Sequence, residues 1–176
     1  MPVTDEQKRI RSYLVAQGAK LEPAAIVEKV RAAMAELEAA ARAVPADRFG
    51  ERPEPEEWSG NEVMSHVVAA GAYFGGGIVA ALDSAPPPPR MGGSGAENAP
   101  ARTAAEWCAL LSRDRDALFG RVLGAAPDAA LDRRIEHRMF GPLNWREALL
   151  FLRLHDLDHA GQLQKITAVL AAARPA

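Results

Sequence analysis

The chain has almost no cysteine: a single residue, Cys108, in 176. No disulfide can form within it, so stability has to come from packing, and a reducing, cytoplasmic compartment is expected. Aromatic residues are scarce at 6% while alanine is plentiful, a mix that favours helices. An excess of one charge is also lacking. Lys and Arg number 21 against 23 Asp and Glu, for a formal net charge of −2, so no electrostatic footprint points to nucleic acid. Uninterrupted apolar runs of about 18 residues are missing, and the opening Met1-Pro-Val-Thr-Asp-Glu6 carries no apolar h-region. Neither a membrane span nor a signal peptide is expected.

What is present suits one packed domain, with 48% apolar and 25% charged residues. Helix starts are written clearly. Thr4 to Gln7, Ser59 to Glu62, Thr103 to Glu106 and Asn144 to Glu147 each pair a capping side chain with a Glu or Gln three residues on. A fifth start lies at Glu22-Pro23, where proline's missing N–H is not needed.

The first segment is short and polar, should fray by Gly18, and reads as an accessory helix within residues 1–20. The second carries Ile26, Val30, Ala33, Met34, Leu37, Ala40 and Ala41 at three- and four-residue steps, and Pro45 ends it. Residues 46–57 are charged and rich in Pro and Gly, as a surface connection should be.

The third segment runs from Ser59 to about Leu82. Its apolar stripe passes through Val63, Val67, Ala70 and Phe74, with His66 on it, and Trp58 is positioned to staple onto Val63. Gly75-Gly76-Gly77 predicts a kink or a close approach by another backbone. Residues 83–102, with Pro86 to Pro89 and Gly92-Gly93-Ser94-Gly95, form a long connection. A solvated connector is the plainer reading of it, and a lid, a crossover or a mobile insert the others.

The fourth segment carries Trp107, Leu110, Leu111, Asp114, Leu118 and Val122 at helical spacing and stops at Gly124. Ile135 to Phe140 reads as a short extended stretch. The last segment extends from Asn144 to Arg174-Pro175, on the order of 40 Å of helix. The expected fold is all-α: a four-helix bundle over residues 21–176, with a long loop between its second and third helices.

Within the last segment, His155-Asp156-Leu157-Asp158-His159 puts two imidazoles four residues apart, on one side of a helix. Their line continues through Ala148, Leu152, Gln162, Leu163, Ile166 and Leu170, so it should face the core. Buried imidazoles need partners. His66 is the third histidine on an inward stripe. Bundles build metal sites from inward side chains on facing helices. Neutral imidazole suits zinc, nickel or iron, and three protein ligands leave a position open for water or substrate. The competing reading is three separately hydrogen-bonded core histidines.

Trp58-Ser-Gly-Asn-Glu-Val-Met-Ser-His66 resembles the start of the second bundle helix in the DinB/YfiT-like superfamily. Gly141-Pro-Leu-Asn-Trp-Arg-Glu147, followed by His155-Asp-Leu-Asp-His159-Ala-Gly-Gln162, resembles that family's final helix. The resemblance covers roughly residues 22–172. It implies a four-helix bundle that binds one divalent metal through His66, His155 and His159, often as a homodimer. Some branches of the family act as S-transferases or isomerases with a low-molecular-weight thiol cosubstrate, and others are described as metal-dependent hydrolases. The family transfers a site more securely than a reaction. Gln162 matches a recurrent family position one turn after the last histidine. It either supports a ligand from outside the coordination sphere or hydrogen-bonds within the core.

The remaining candidates are weaker. His137, between Glu136 and Arg138, reads as a surface or pocket-rim residue. Asp156 and Asp158 read as solvated or salt-bridged, with one of them available to hold an imidazole N–H. A di-iron site would need two Glu-x-x-His pairs, and the chain offers only Asp156-x-x-His159. Cys108 has no histidine at helical spacing and reads as inert packing. Arg133, Arg134 and Arg138 read as a solvated face or an anion contact. Gly-x-Ser-x-Gly, P-loop and dinucleotide signatures are absent from the sequence. Three functions remain in view: a mononuclear metal enzyme with a small-molecule substrate, a non-catalytic metal-binding module, and a structural homodimer. No membrane or nucleic-acid partner is expected.

Overall fold

The computed structural model describes residues 4–89 and 92–172. Its helices are α1 (Asp5–Lys20), α2 (Pro23–Ala43), α3 (Gly60–Leu82), α4 (Ala104–Leu123) and α5 (Trp145–Ala172). A two-stranded antiparallel hairpin, β1 (Ile135–His137) and β2 (Gly141–Leu143), precedes α5, pairing Ile135 with Leu143 and His137 with Gly141. It realises the short extended stretch.

The capping boxes form as written. Thr4, Ser59 and Thr103 each accept from the backbone N–H three residues on, and the Glu or Gln there reaches back to the cap's own N–H. At the start of α5, Asn144 Oδ1 accepts from the N–H groups of Arg146 and Glu147 at 3.0 Å, and Glu147 accepts from the Asn144 N–H at 3.0 Å. Such a cap is worth about 1 kcal/mol to its helix. Gly18 does not fray α1, which continues to Lys20. Gly18 is buried because Glu147 lies across it: a Cβ there would stand 3.1 Å from Glu147 Cγ. α1 is thus docked on α5 through this contact and a fully buried Leu14.

In the bundle proper, α2 and α3 each pack against both α4 and α5. Side-chain contacts give the helix directions. Asn61 Oδ1, at the start of α3, accepts from the Arg102 N–H at 3.1 Å and from Trp107 Nε1 at 2.8 Å, at the start of α4. At the far ends Arg121 donates to Asp83 at 2.6 and 2.9 Å. α3 and α4 therefore run parallel. Phe74 meets Phe151 while His66 meets His159, so α5 runs antiparallel to α3. Arg48 reaches the Leu170 carbonyl and Arg146 the Leu21 carbonyl, so α2 runs parallel to α5.

Two consecutive parallel helices need a connection that returns the full length of α3. Residues 83–102 are that crossover, and they are not simply a solvated connector. Pro88 passes Gly76, Gly95 passes Ala69 and His66, and Ala96 is buried. α3 stays helical through Gly75-Gly76-Gly77. The close approach there comes from side chains: a Cβ at Gly77 would meet Ile135 Cγ2 at 3.0 Å and one at Gly75 would meet Leu118 Cδ2 at 3.5 Å.

The core runs the length of the bundle, with Ile26, Val30, Leu37, Val63, Val67, Ile78, Leu149, Leu152 and Leu163 all fully buried. Each such side chain contributes about 1.5–3 kcal/mol by leaving water. Among the described residues α3 has the length and apolar composition to cross a membrane, but 56% of that window is buried inside the bundle. A central bundle helix has this character.

Candidate metal centre

α3 and α5 run antiparallel and in contact, so His66 meets the His155/His159 pair at one height. The ring centroids lie 5.0 Å (His66 and His155), 4.8 Å (His66 and His159) and 4.4 Å (His155 and His159) apart. One ligand atom from each can be chosen so that all three lie within 4.8 Å of one another. His66 Nε2 and His155 Nε2 are 3.0 Å apart. Two nitrogens that share an ion at about 2.0–2.1 Å stand at roughly this separation.

Two of the rings have their other nitrogen engaged. The carbonyl of Ser94 accepts from His66 Nδ1. Gln162 Oε1 accepts from His159 Nδ1 at 2.8 Å. A carbonyl oxygen can only accept, so both Nδ1 atoms carry the proton and both Nε2 atoms keep a lone pair. His155 Nδ1 is buried and has no hydrogen-bond partner. Burial holds the His155 ring well below the ordinary imidazole pKa, helped by repulsion from His159 and His66. Burial also lowers His159, partly offset by its bond to Gln162. These two rings are therefore neutral at pH 7 and can donate lone pairs.

The crossover supplies the Ser94 carbonyl, and the contact is built to last. Glu97 gathers the N–H groups of Ser94 and Gly95 at 3.0 and 3.1 Å and the Ser94 hydroxyl at 2.7 Å. Ser65 on α3 donates to the Gly95 carbonyl at 2.7 Å. Gly95 has φ +83°, and a Cβ there would stand 2.6 Å from Ala69 Cβ. Only glycine lets the loop come this close to α3.

Trp58 lies over the site. Its ring is tilted 5.0 Å from His66 and stacked 6.5 Å from His159. Trp58 and Gln162 also line a cleft of about 670 Å³ between α5 and the 46–59 connection, with Asp158 and Lys165 on its walls.

One reading of a single residue is overturned. His137 is not at the surface or a pocket rim. It is 6% exposed, stacked between Phe74 and Phe140 (centroids 5.2 and 4.6 Å) and edge-on to Phe151 at 4.3 Å. Its Nδ1 accepts from the Met139 and Phe140 N–H groups at 3.1 and 3.2 Å. It closes the hairpin turn that the polar flanks Glu136 and Arg138 had hidden. Asp156 is fully buried, and of the readings open to it the salt bridge is the one realised, with Arg115 on α4. Arg115 escaped the sequence reading, although it sits at the inward spacing of Leu111, Leu118 and Val122. Asp158, Arg133, Arg134 and Arg138 are exposed, as a solvated face requires. Cys108 is buried and its thiol is pushed up by desolvation, which suits inert packing.

Fold and site together define a class: a four-helix bundle with a cluster of three histidines, on two antiparallel helices, that could hold a metal ion. The sequence pattern of the DinB superfamily matches residues 17–163, and the chain belongs to that superfamily. No curated protein is significantly similar to it. The crystal structure of TT2238, described as a four-helix bundle protein, is similar over 81% of this chain and 98% of that one, at 20% identity and a TM-score of 0.63. At that identity the likeness is one of fold.

Proposed function

We propose that His66, His155 and His159 hold one divalent metal ion, and that the protein is a mononuclear metal enzyme acting on a small molecule. The observation that carries this is the tautomer pattern. The Ser94 carbonyl and Gln162 fix the protons of His66 and His159 on Nδ1, so lone pairs face a common point. The Nε2 atoms of His66 and His155, 3.0 Å apart, are close enough to share one ion. Acceptor-held imidazoles of this kind are how proteins orient metal ligands.

A divalent ion held by three neutral imidazoles lowers the pKa of a water or thiol that reaches its open position, which supports hydrolase or thiol S-transferase chemistry. The chain's own groups do the rest. Trp58 covers the His66 and His159 rings and limits access by bulk water. Gln162 keeps His159 in one tautomer. Trp58 and Gln162, which touch the histidine rings, also line the neighbouring cleft, where a small substrate would sit beside the site. Zinc, nickel and iron all suit this donor set. As in many members of the family, a homodimer is the expected assembly.

Elemental analysis of the purified protein tests the reading, with about one ion per chain expected. His66→Ala should lose that ion and any activity found with thiols and activated electrophiles, while the helical content stays unchanged. A large fall in melting temperature on chelation, with no activity found, would make the ion structural. A chain that takes up no ion would be a scaffold.

A further inference from the structure

A second cavity lies away from the histidines, between the parallel helices α3 and α4. It holds about 390 Å³, on the order of a dozen water-sized volumes. Its walls are mostly apolar, with Val68 and Val79 on one side and Leu111 and Leu118 on the other; Asp114, Arg115 and Arg121 are the charged members of its lining. Gly71, Ala72, Gly75 and Gly76 leave it open on the α3 side. Parallel helices with glycines facing a neighbour would ordinarily close together. Here the space remains.

Arg115 lies in the wall of this slot, 2% exposed. Its Nη2 donates to Asp156 at 3.0 and 3.3 Å. Its Nε and Nη1 are buried and have no hydrogen-bond partner. A guanidinium has five N–H donors, so three of them are unspent in an apolar surrounding, where an unsatisfied donor is costly. An ideal Cβ on Gly71 would stand 3.6 Å from Arg115 Nη2 and 3.8 Å from its Nε. Position 71 thus puts no side chain between the slot and the guanidinium, whose free donors lie just behind the slot's surface.

We propose that the slot between α3 and α4 is a second ligand site, which takes a monocarboxylate with an unbranched apolar tail and receives its carboxylate on Arg115. Arginine N–H groups are strongest with carboxylate acceptors. The apolar walls match a hydrocarbon chain, and the rim offers few groups that would recognise a polar one. Arg121 is already engaged by Asp83 and Asp114 by Arg113, which leaves the deep guanidinium as the unspent group that selects the ligand. None of the three histidines lines the slot, so the proposal stands or falls apart from the metal reading.

The probe is sodium decanoate, titrated into the full chain by calorimetry below its micelle concentration, with decanol and decylamine as controls. One decanoate per chain is expected, with decanol and decylamine binding at least tenfold more weakly. Gly71→Leu fills the slot at a position where a Cβ has ordinary space. It should weaken decanoate binding at least tenfold while helicity, melting temperature and metal content hold. His66→Ala should leave decanoate binding unchanged. Four results would overturn the proposal: no decanoate binding at millimolar concentration, equal binding of decanol, binding that survives Gly71→Leu but is lost in His66→Ala, or a change in oligomeric state with Gly71→Leu. The third would place the carboxylate at the histidines, and the fourth would make the slot an interface between copies.

Discussion

Arg115 on α4 and Asp156 on α5 form a fully buried ion pair inside the bundle, Nη2 to Oδ1 at 3.0 Å, with side-chain exposures of 2% and 0%. Desolvation dominates both partners. Burial pushes the Asp156 carboxyl up to about 6 against the pull of Arg115, and lowers the guanidinium despite the carboxylate beside it. Such a pair adds little net stability, but breaking it strands a charge. Asp156→Ala should therefore destabilise the fold by about 3–5 kcal/mol. Urea unfolding followed by circular dichroism measures this, and a change below 1 kcal/mol would mean that water reaches Arg115 freely. Because Asp156 is the residue after His155, the same variant should also loosen the histidine cluster.

The crossover reaches the site through the Ser94 carbonyl on His66, and Gly95 beside it has to be glycine. Gly95→Ala places a methyl against Ala69 and forces a positive φ on alanine. The expected loss is about 1–3 kcal/mol, concentrated in the loop. Amide exchange should quicken at residues 94–97 and leave the centre of α5 protected. Global unfolding with uniform exchange would contradict a local contact.

His137 makes stability depend on pH. Burial lowers its pKa to about 4, against about 6.5 in an unfolded chain. Between these values the unfolded state binds the proton and the folded state does not. Stability should therefore fall as pH drops through that window, by about 3 kcal/mol for this residue alone. In His137→Asn the amide oxygen can still accept the two turn N–H groups but cannot titrate. From pH 7 to pH 4 the stability difference between the two proteins should shift in the variant's favour by about 3 kcal/mol. Parallel curves would show that His137 is solvated.

Gln162 acts on the centre through His159. Gln162→Leu should leave the helix intact and weaken ion retention by about 10–100-fold, the usual cost of losing an acceptor behind a metal-bound imidazole. Competition with a chromogenic chelator reads this directly. Unchanged retention would reduce Gln162 to a core hydrogen bond. Retention in the parent protein should also persist somewhat below pH 6.5, because burial already disfavours protonation of His155 and His159.

Much of the molecule was legible in the chain itself. Helix starts are local chemistry, and every capping box formed where it was written. The inward stripes are local too: a period of 3.6 places His66, His155 and His159 on core-facing sides whatever the tertiary arrangement. What the stripes could not say is which residues meet across them. That depended on helix direction. A crossover between parallel α3 and α4 brings the Ser94 carbonyl to His66, and the antiparallel passage of α5 brings His159 under Trp58. The fates of Asp156 and His137 were hidden for the same reason. A charged or polar residue reads as exposed until its partner is known, and Arg115 lies 41 residues before Asp156. Spacing along one helix determined which side chains turn inward. Only the packing of helices against one another, set by contacts distant in sequence, decided what each of them would find there.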